Sequence, residues 1–462
     1  MKSIPLLLVL FVLWVALPAA YGQEVHHGAR MENGTLYFKA EPLNDYFLTE
    51  TQEVYYYVHL QGAEPVVSVP NERIPLNLSV VIDQSGSMLG EKIAYAKEAL
   101  KYIIRNMGET DFLSIVLYDS RVQVLMEQQR VTDREKWLKL VDGISAGSNT
   151  FLEGGIREGY NQVKRAKNRD QGEMVNRVIL LSDGRANQGV RDPQQLSAIT
   201  EDFFKEDQIS ISTFGVGADY SEDLMSKIAM QGGGNYYFID SPENLPSMFE
   251  EELNGISRVV AKSTKLSITF PGEVLAHKKT YAYNSKVRGN TLEIDFNDVF
   301  VDEQKAILVA FSKKSNTKEP LNITCELSYL NPRMSDPPVL VERRTSTLRH
   351  TNSPTDFNQG YNQAASEGYA LEISAEMYKA ATDLCNQHDF KAAALKTKEA
   401  IQFLDKHFEL NGENQYLRSV QEDLQEYEVL IEEMKRMDGL SFKVNLKRQK
   451  HRRFRAVNSP KF

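Results

Sequence analysis

The sequence predicts a doubly wound α/β unit inserted into an all-β, sandwich-like domain and followed by a C-terminal α-helical region. Three observations predict this fold class. Between residues 73 and 255, short apolar strands alternate with helical patterns, the rhythm of a mainly parallel sheet covered by helices on both faces. From 258 to 350 the helical period disappears, and short segments rich in β-branched and aromatic residues follow one another. Beyond 360 the spacing of apolar residues becomes helical again.

Taken in order, the chain opens on Lys2 and an almost wholly apolar run from Ile4 to Ala20. The small residues of Ala19-Ala20-Tyr21-Gly22 then precede a cut near Gly22–Gln23. This pattern predicts a signal peptide over residues 1–22 and an exported protein, secreted, periplasmic or held at the cell surface. No later segment is apolar enough to span a membrane. Leu36-Tyr37-Phe38 and Val54 to Leu60 read as strands. Because a lone hairpin is only marginally stable, residues 23–72 are expected to join 256–351 in one discontinuous β domain.

Within the α/β unit, strands are expected at 76–82, 112–118, 178–182, 209–215 and 235–239, with an extra one from Val122 to Met126. Helices follow Asp83 and Thr150 and cover 193–206, 221–230 and 243–254. The later β block contributes Thr264–Phe270, Thr291–Phe296, Ala306–Phe311 and Ile323–Tyr329. A polar linker at 352–359 leads to helices over Ala370–Asn386, Phe390–His407 and Asn414–Met437, the first two resembling one helix pair of the tetratricopeptide type. The segment 441–462 is rich in Lys and Arg and reads as a disordered tail, with contact to an anionic surface as its functional alternative.

The chain has 462 residues, 42% hydrophobic and 25% charged, ordinary for folded protein. A net charge of −9 argues against general nucleic-acid binding. Cys325 and Cys385 fall in different predicted domains, and neither lies near a His cluster, so a zinc site has no support. Asn33, Asn77 and Asn322 head Asn-x-Ser/Thr triplets.

The most informative stretch is Leu76–Met88. An apolar strand stops at Asp83, and hydroxyls follow at Ser85 and Ser87 around Gly86. A buried strand that ends in a carboxylate places it at the rim of a sheet. Oxygen ligands on one short loop suit a hard divalent cation. Val178-Ile-Leu-Leu-Ser-Asp183-Gly184 repeats the logic, and Gly147-Ser-Asn-Thr150 precedes a further helix. In a doubly wound sheet the first and fourth strands are neighbours at the switch point, so Asp83 and Asp183 are expected to flank the crevice outside their carboxyl ends.

With these motifs in this order, residues 73–255 resemble a von Willebrand factor type A (VWA) domain, a Rossmann-like fold, with a metal-ion-dependent adhesion site (MIDAS). The resemblance implies a metal site of Asp83, Ser85, Ser87, Thr150 and Asp183. It also implies a divalent cation, Mg2+ first, with Mn2+ or Ca2+ satisfying the same oxygens. The expected partner is a protein presenting Asp or Glu, bound in cell-adhesion fashion. Asn149, where the family often has Gly or Ser, is a mild departure. The architecture is also similar, more remotely, to the heavy chains of secreted protease inhibitors. A scaffold acting through the helical C-terminus around a structural metal is the alternative. A metal-assisted hydrolase is less supported, since no general base accompanies the motifs. Gly143-Ile-Ser145-Ala-Gly147 follows a helical stretch and reads as a loop rather than a nucleophile elbow.

Overall fold

Leu76–Asp83 is buried along its whole length, because it runs through the middle of a six-stranded sheet. The sheet order is Gly233–Ile239, Ser210–Val216, Val175–Ser182, Leu76–Asp83, Phe112–Tyr118, Val122–Arg130. Neighbours pair in parallel except the last, which returns antiparallel. Leu78, Val80 and Ile82 face helices Glu91–Asn106, Arg134–Asp142 and Leu245–Ser257. Val81, on the opposite face, packs with helices Leu152–Arg169, Pro193–Asp207 and Glu222–Gln231. Period-2 alternation within a fully buried strand thus serves two cores at once.

The computed structural model describes residues 29–30, 35–63, 74–169, 174–217, 220–239, 241–257, 259–281, 283, 285–296, 298–331 and 339–458. The predicted signal peptide and Asn33 lie outside them. Among the described residues, no helix is long and apolar enough to cross a membrane.

The chain on either side of the α/β unit shares one pair of sheets. Leu36–Pro42 pairs with Glu53–Gly62, which pairs with Gln304–Lys313 in an unbroken antiparallel register from Gln61↔Gln304 to Glu53↔Ser312. This five-stranded sheet faces a seven-stranded one through a core that includes Phe38, Tyr56, Val58, Ile268, Ile323 and Leu327. The α/β unit is therefore an insertion in a β-sandwich. Strands at Leu275–Thr280 and Val339–His350 extend the sequence expectation. The second escapes the sequence pattern because its outer side is paired only at Arg349 and His350, which leaves Val339 and Val341 exposed among charged neighbours.

The outer face of the five-stranded sheet is covered by helix Gln363–Asn386, so both faces of Glu53–Gly62 are buried. Tyr56 enters the sandwich core, while Tyr57 meets the helix at Gly368. A β-carbon on Gly368 would lie 2.0 Å from Tyr57 Cε2, which makes glycine the condition for this close approach. Gly368→Val is expected to cost about 1–3 kcal/mol through overpacking, read as a lowered urea midpoint. An unchanged midpoint would show that the helix does not dock this tightly.

Helices Phe390–Asn411, Gln415–Met434 and Gly439–Asn458 complete a bundle with a core of its own. The last of these corrects the disordered tail expected at 441–462: the chain is helical to Asn458. Phe442, Leu446 and Val457 fall on one buried stripe, and the cations between them find acids within the molecule. Lys450 lies 3.4 Å from Glu222, Arg452 2.8 Å from Glu426, and Arg455 3.0 Å from Glu251. Lys447 Nζ sits 3.7 Å from the Tyr220 ring centroid. These four side chains thus have partners on the chain's own surface. Charge density made the segment look solvated, and only the fold supplies the counter-charges.

Cys325 and Cys385 are free and buried, one in the sandwich core and one in the helical core. Asn77 is fully buried and donates to Val163 O and Asn176 Oδ1, which removes it as a glycosylation acceptor. Asn322, on the strand Leu321–Leu330, is exposed and accepts from Thr347 Oγ1.

Candidate metal centre

Asp83 and Ser182 end adjacent parallel strands, and their side chains meet. Ser182 Oγ donates to Asp83 Oδ2 at 2.6 Å, and the Tyr118 hydroxyl lies 3.1 Å from the same oxygen and 2.9 Å from Ser182 Oγ. Tyr118 is the register partner of Asp83 on the other neighbouring strand. The carboxylate is thus fixed from both sides of its strand. Asp83 Oδ1 accepts the Ser85 backbone N–H at 2.9 Å, which turns the loop sharply and brings Ser85 Oγ within 3.1 Å of Ser87 Oγ. Asp83, Ser85, Thr150 and Asp183 are buried, and Ser87 is half-buried toward solvent.

The other two segments close on this loop. Gly86 N–H donates to Ser148 O at 2.8 Å, and Gly147 N–H donates to Gln84 O. The stretch that leads into Thr150 is therefore zipped to the Asp83 loop. Thr150 N–H donates to Asn187 Oδ1 at 2.8 Å, and Thr150 O accepts from Asn187 and Gln188 N–H. Asn149 is exposed, so the departure from the family pattern points away from the cluster. Asp183 O accepts from Ser221 N–H at 2.8 Å. Gly184 follows at φ +65°, with Ser221 and Met225 crowding the place of a β-carbon, a conformation that favours glycine. Asp119 keeps to the turn expected of it, accepting from Arg121 N–H.

Electrostatics set this cluster apart. Burial pushes the Asp83 carboxyl above its ordinary pKa, hydrogen bonds from Ser182 and Ser85 pull it down again, and the neighbouring Asp183 pushes it up. Lys92, the second residue of the helix after the loop, reaches Asp183 Oδ2 at 3.0 Å. Asp183 Oδ1 is buried without a hydrogen-bond donor. Two buried carboxylates thus stand close together, with one ammonium on Asp183 and one Asp183 acceptor oxygen left over. Among the described residues, no group of three His, Cys, Asp or Glu side chains gathers to hold a metal. The donors here are two carboxylates and hydroxyls, the choice of a hard cation that keeps several waters. The set fits a divalent cation, with the orphaned Asp183 oxygen as the structural sign.

Ser182, Tyr118 and Lys92 did not emerge from the sequence. A serine at the end of the otherwise apolar Val178–Leu181 run was a usable signal. Tyr118 and Lys92 carried none, because their roles depend on register and on the helix's rotation.

A doubly wound sheet with an antiparallel edge, carrying an Asp-x-Ser-x-Ser loop at its switch point, defines a class, and residues 77–251 match the model of the von Willebrand factor type A domain. The inserted unit is a von Willebrand factor type A domain. Over 249 residues the chain is 25% identical to the uncharacterized protein sll0103 of Synechocystis sp., covering 52% of this chain and 57% of that protein. Inter-alpha-trypsin inhibitor heavy chain H1 of Bos taurus is 24% identical over 233 residues, 48% of this chain and 25% of the heavy chain. The chain therefore spans about a quarter to somewhat over half the length of these two relatives. Among solved structures, a von Willebrand factor type A protein from Catenulispora acidiphila superposes with a TM-score of 0.69 at 14% identity, over 93% of this chain and 99% of that one. VWA2 of Sulfolobus acidocaldarius, an ArnB paralog, gives 0.60 at 16% identity, over 93% and 100%. At such identities the likeness concerns the fold, and it extends beyond the inserted unit.

Proposed function

We propose that this chain is an exported, non-catalytic binding protein. Its VWA domain holds a divalent cation, Mg2+ first, with Asp83, Ser85, Ser87, Thr150 and Asp183, and captures an Asp or Glu carboxylate of a protein partner. The buried acid pair with its undonated Asp183 oxygen carries this reading. When bound, the cation supplies an electrophile that accepts an outside carboxylate in place of a water. Asp83 is held by Tyr118, Ser182 and Ser85 N–H, so it is aimed before any ligand arrives. Ser87 stands toward solvent, and Leu89 beside it is 76% exposed, an apolar contact at the edge of the same opening. The named relatives include heavy chains of a protease inhibitor, which supports a protein-binding role over turnover.

Pull-down from a cell-surface extract of the source organism tests the role. Partners are expected to be retained in Mg2+ and released by EDTA, and Leu89→Asp is expected to weaken retention while cation binding persists. A second reading, in which the helical region is a scaffold, draws on exposed Leu395, Val429 and Leu440 along that bundle. Equal retention with and without chelator would favour it and defeat capture through the metal.

A further inference from the structure

Away from the Asp83 cluster, and sharing no residue with it, a cavity of about 760 Å3 opens between the sandwich and the helical bundle. Its walls come from Tyr46–Phe47, the start of Glu53–Gly62, helix Pro354–Gln359, the start of Gln363–Asn386 and the end of Phe390–Asn411. Tyr55 and Tyr369 meet edge to face at 4.9 Å, and Tyr369 meets Phe403 at 6.2 Å. This volume lies in the roughly 300–1,000 Å3 range of small-molecule sites.

The polar side chains at the cavity give it a direction. Ser366 is 4% exposed and His407 8% exposed; both line the cavity, and neither Ser366 Oγ nor His407 Nε2 has a hydrogen-bond partner. A helical serine ordinarily bonds back to a carbonyl one turn earlier; this one does not. His407 Nδ1 lies 3.2 Å from Asn411 Nδ2. An amide nitrogen only donates, so Nδ1 accepts and the ring proton resides on Nε2. Burial also holds the His407 imidazole below its ordinary pKa, with Glu367 opposing. The cavity therefore offers an N–H donor and a hydroxyl. Charge is handled at its margin: Glu53 is taken by Lys278 and the Tyr55 hydroxyl, and Lys406 is exposed.

We propose that this cavity is a binding site for a small neutral organic molecule that carries a flat ring and an oxygen acceptor. The ring packs among Tyr55, Tyr369 and Phe403, and the oxygen accepts from His407 Nε2–H and Ser366 Oγ–H. An anionic ligand finds no buried cation at the cavity, only the exposed Lys406 at its margin and the Glu367 carboxylate near His407, and is rejected. The polar pair selects ligands with an acceptor over plain hydrocarbons.

Saturation-transfer NMR on the full chain tests this with 4-methylphenol as probe, and with toluene and benzoate as the ring without an oxygen and the charged ring. The phenol is expected to bind saturably and more tightly than either. Ser366→Ala, which removes only an unpartnered hydroxyl from a helix, is expected to weaken the phenol about 2- to 10-fold and to leave toluene unchanged. Ser366→Leu, which fills the polar end, is expected to abolish phenol binding, with thermal unfolding confirming that the variant is folded. Absence of saturable phenol binding to the wild-type chain would overturn the proposal. So would benzoate binding as tightly as the phenol, or a phenol affinity indifferent to Ser366→Ala.

Discussion

Replacing Asp83 with Ala is expected to abolish the stabilisation of this protein by Mg2+. A cation that binds only the folded state adds about 2.7 kcal/mol at a hundredfold excess over its Kd. For a domain of this size that is about 5–10 °C in Tm. The increment should be present in the wild-type chain and absent in Asp83→Ala and in Asp183→Asn, and calorimetric titration of Mg2+ or Mn2+ should give heat only with the wild type. The increment is the proper readout because Asp83→Ala also leaves Ser85 N–H and the Ser182 hydroxyl without their acceptor and removes one of the two acceptors of the Tyr118 hydroxyl, which lowers the metal-free Tm by itself. Equal Mg2+ increments in all three proteins would place any cation elsewhere.

A second large effect is expected far from that rim. Arg177 and Glu252 form a fully buried ion pair at 2.9 Å, 1% and 0% exposed at their side chains. The carboxylate is saturated: Oε1 accepts from Arg177 Nη1 at 2.9 Å and from Ser212 Oγ at 2.5 Å, and Oε2 accepts from Asn235 Nδ2 and the Tyr237 hydroxyl, both at 2.9 Å. The guanidinium also lies over the Phe300 ring at 5.6 Å, so one side chain joins the VWA sheet, its last helix and the sandwich. Arg177→Leu strands a buried carboxylate and is expected to cost about 3–5 kcal/mol, whereas the double change with Glu252→Leu removes both charges and recovers most of it. Urea midpoints of the two single variants and the double variant measure the coupling. Single variants within about 0.5 kcal/mol of wild type would show that the pair carries no structural weight.

The same pair marks the limit of what the chain discloses by pattern. The strand was expected from Val178 onward because Asn176 and Arg177 interrupt the apolar run, yet it begins at Val175. A charge inside a strand looks like its boundary until the acid 75 residues later is seen beside it. The basic C-terminal helix failed to announce itself for the same reason, since Glu222 and Glu251 are remote in sequence. By contrast Asp83, Ser85 and Ser87 were legible because their geometry is local: one strand end, one Asx turn and two alternate hydroxyls. Thr150 and Asp183 needed the doubly wound topology, which strand–helix alternation itself implies.

The sequence by itself determined the order of layers: an α/β unit between two β segments, then helices. It also determined the tight Asp83–Ser87 loop, because periodicity and turn chemistry act over a few residues. Tertiary structure alone decided which carboxylate oxygen lacks a donor, which lysine reaches Asp183, and that Ser366 and His407 line one aromatic cavity. Those facts depend on where side chains distant in the chain come to rest, and burial then fixes whether a polar atom there finds a partner.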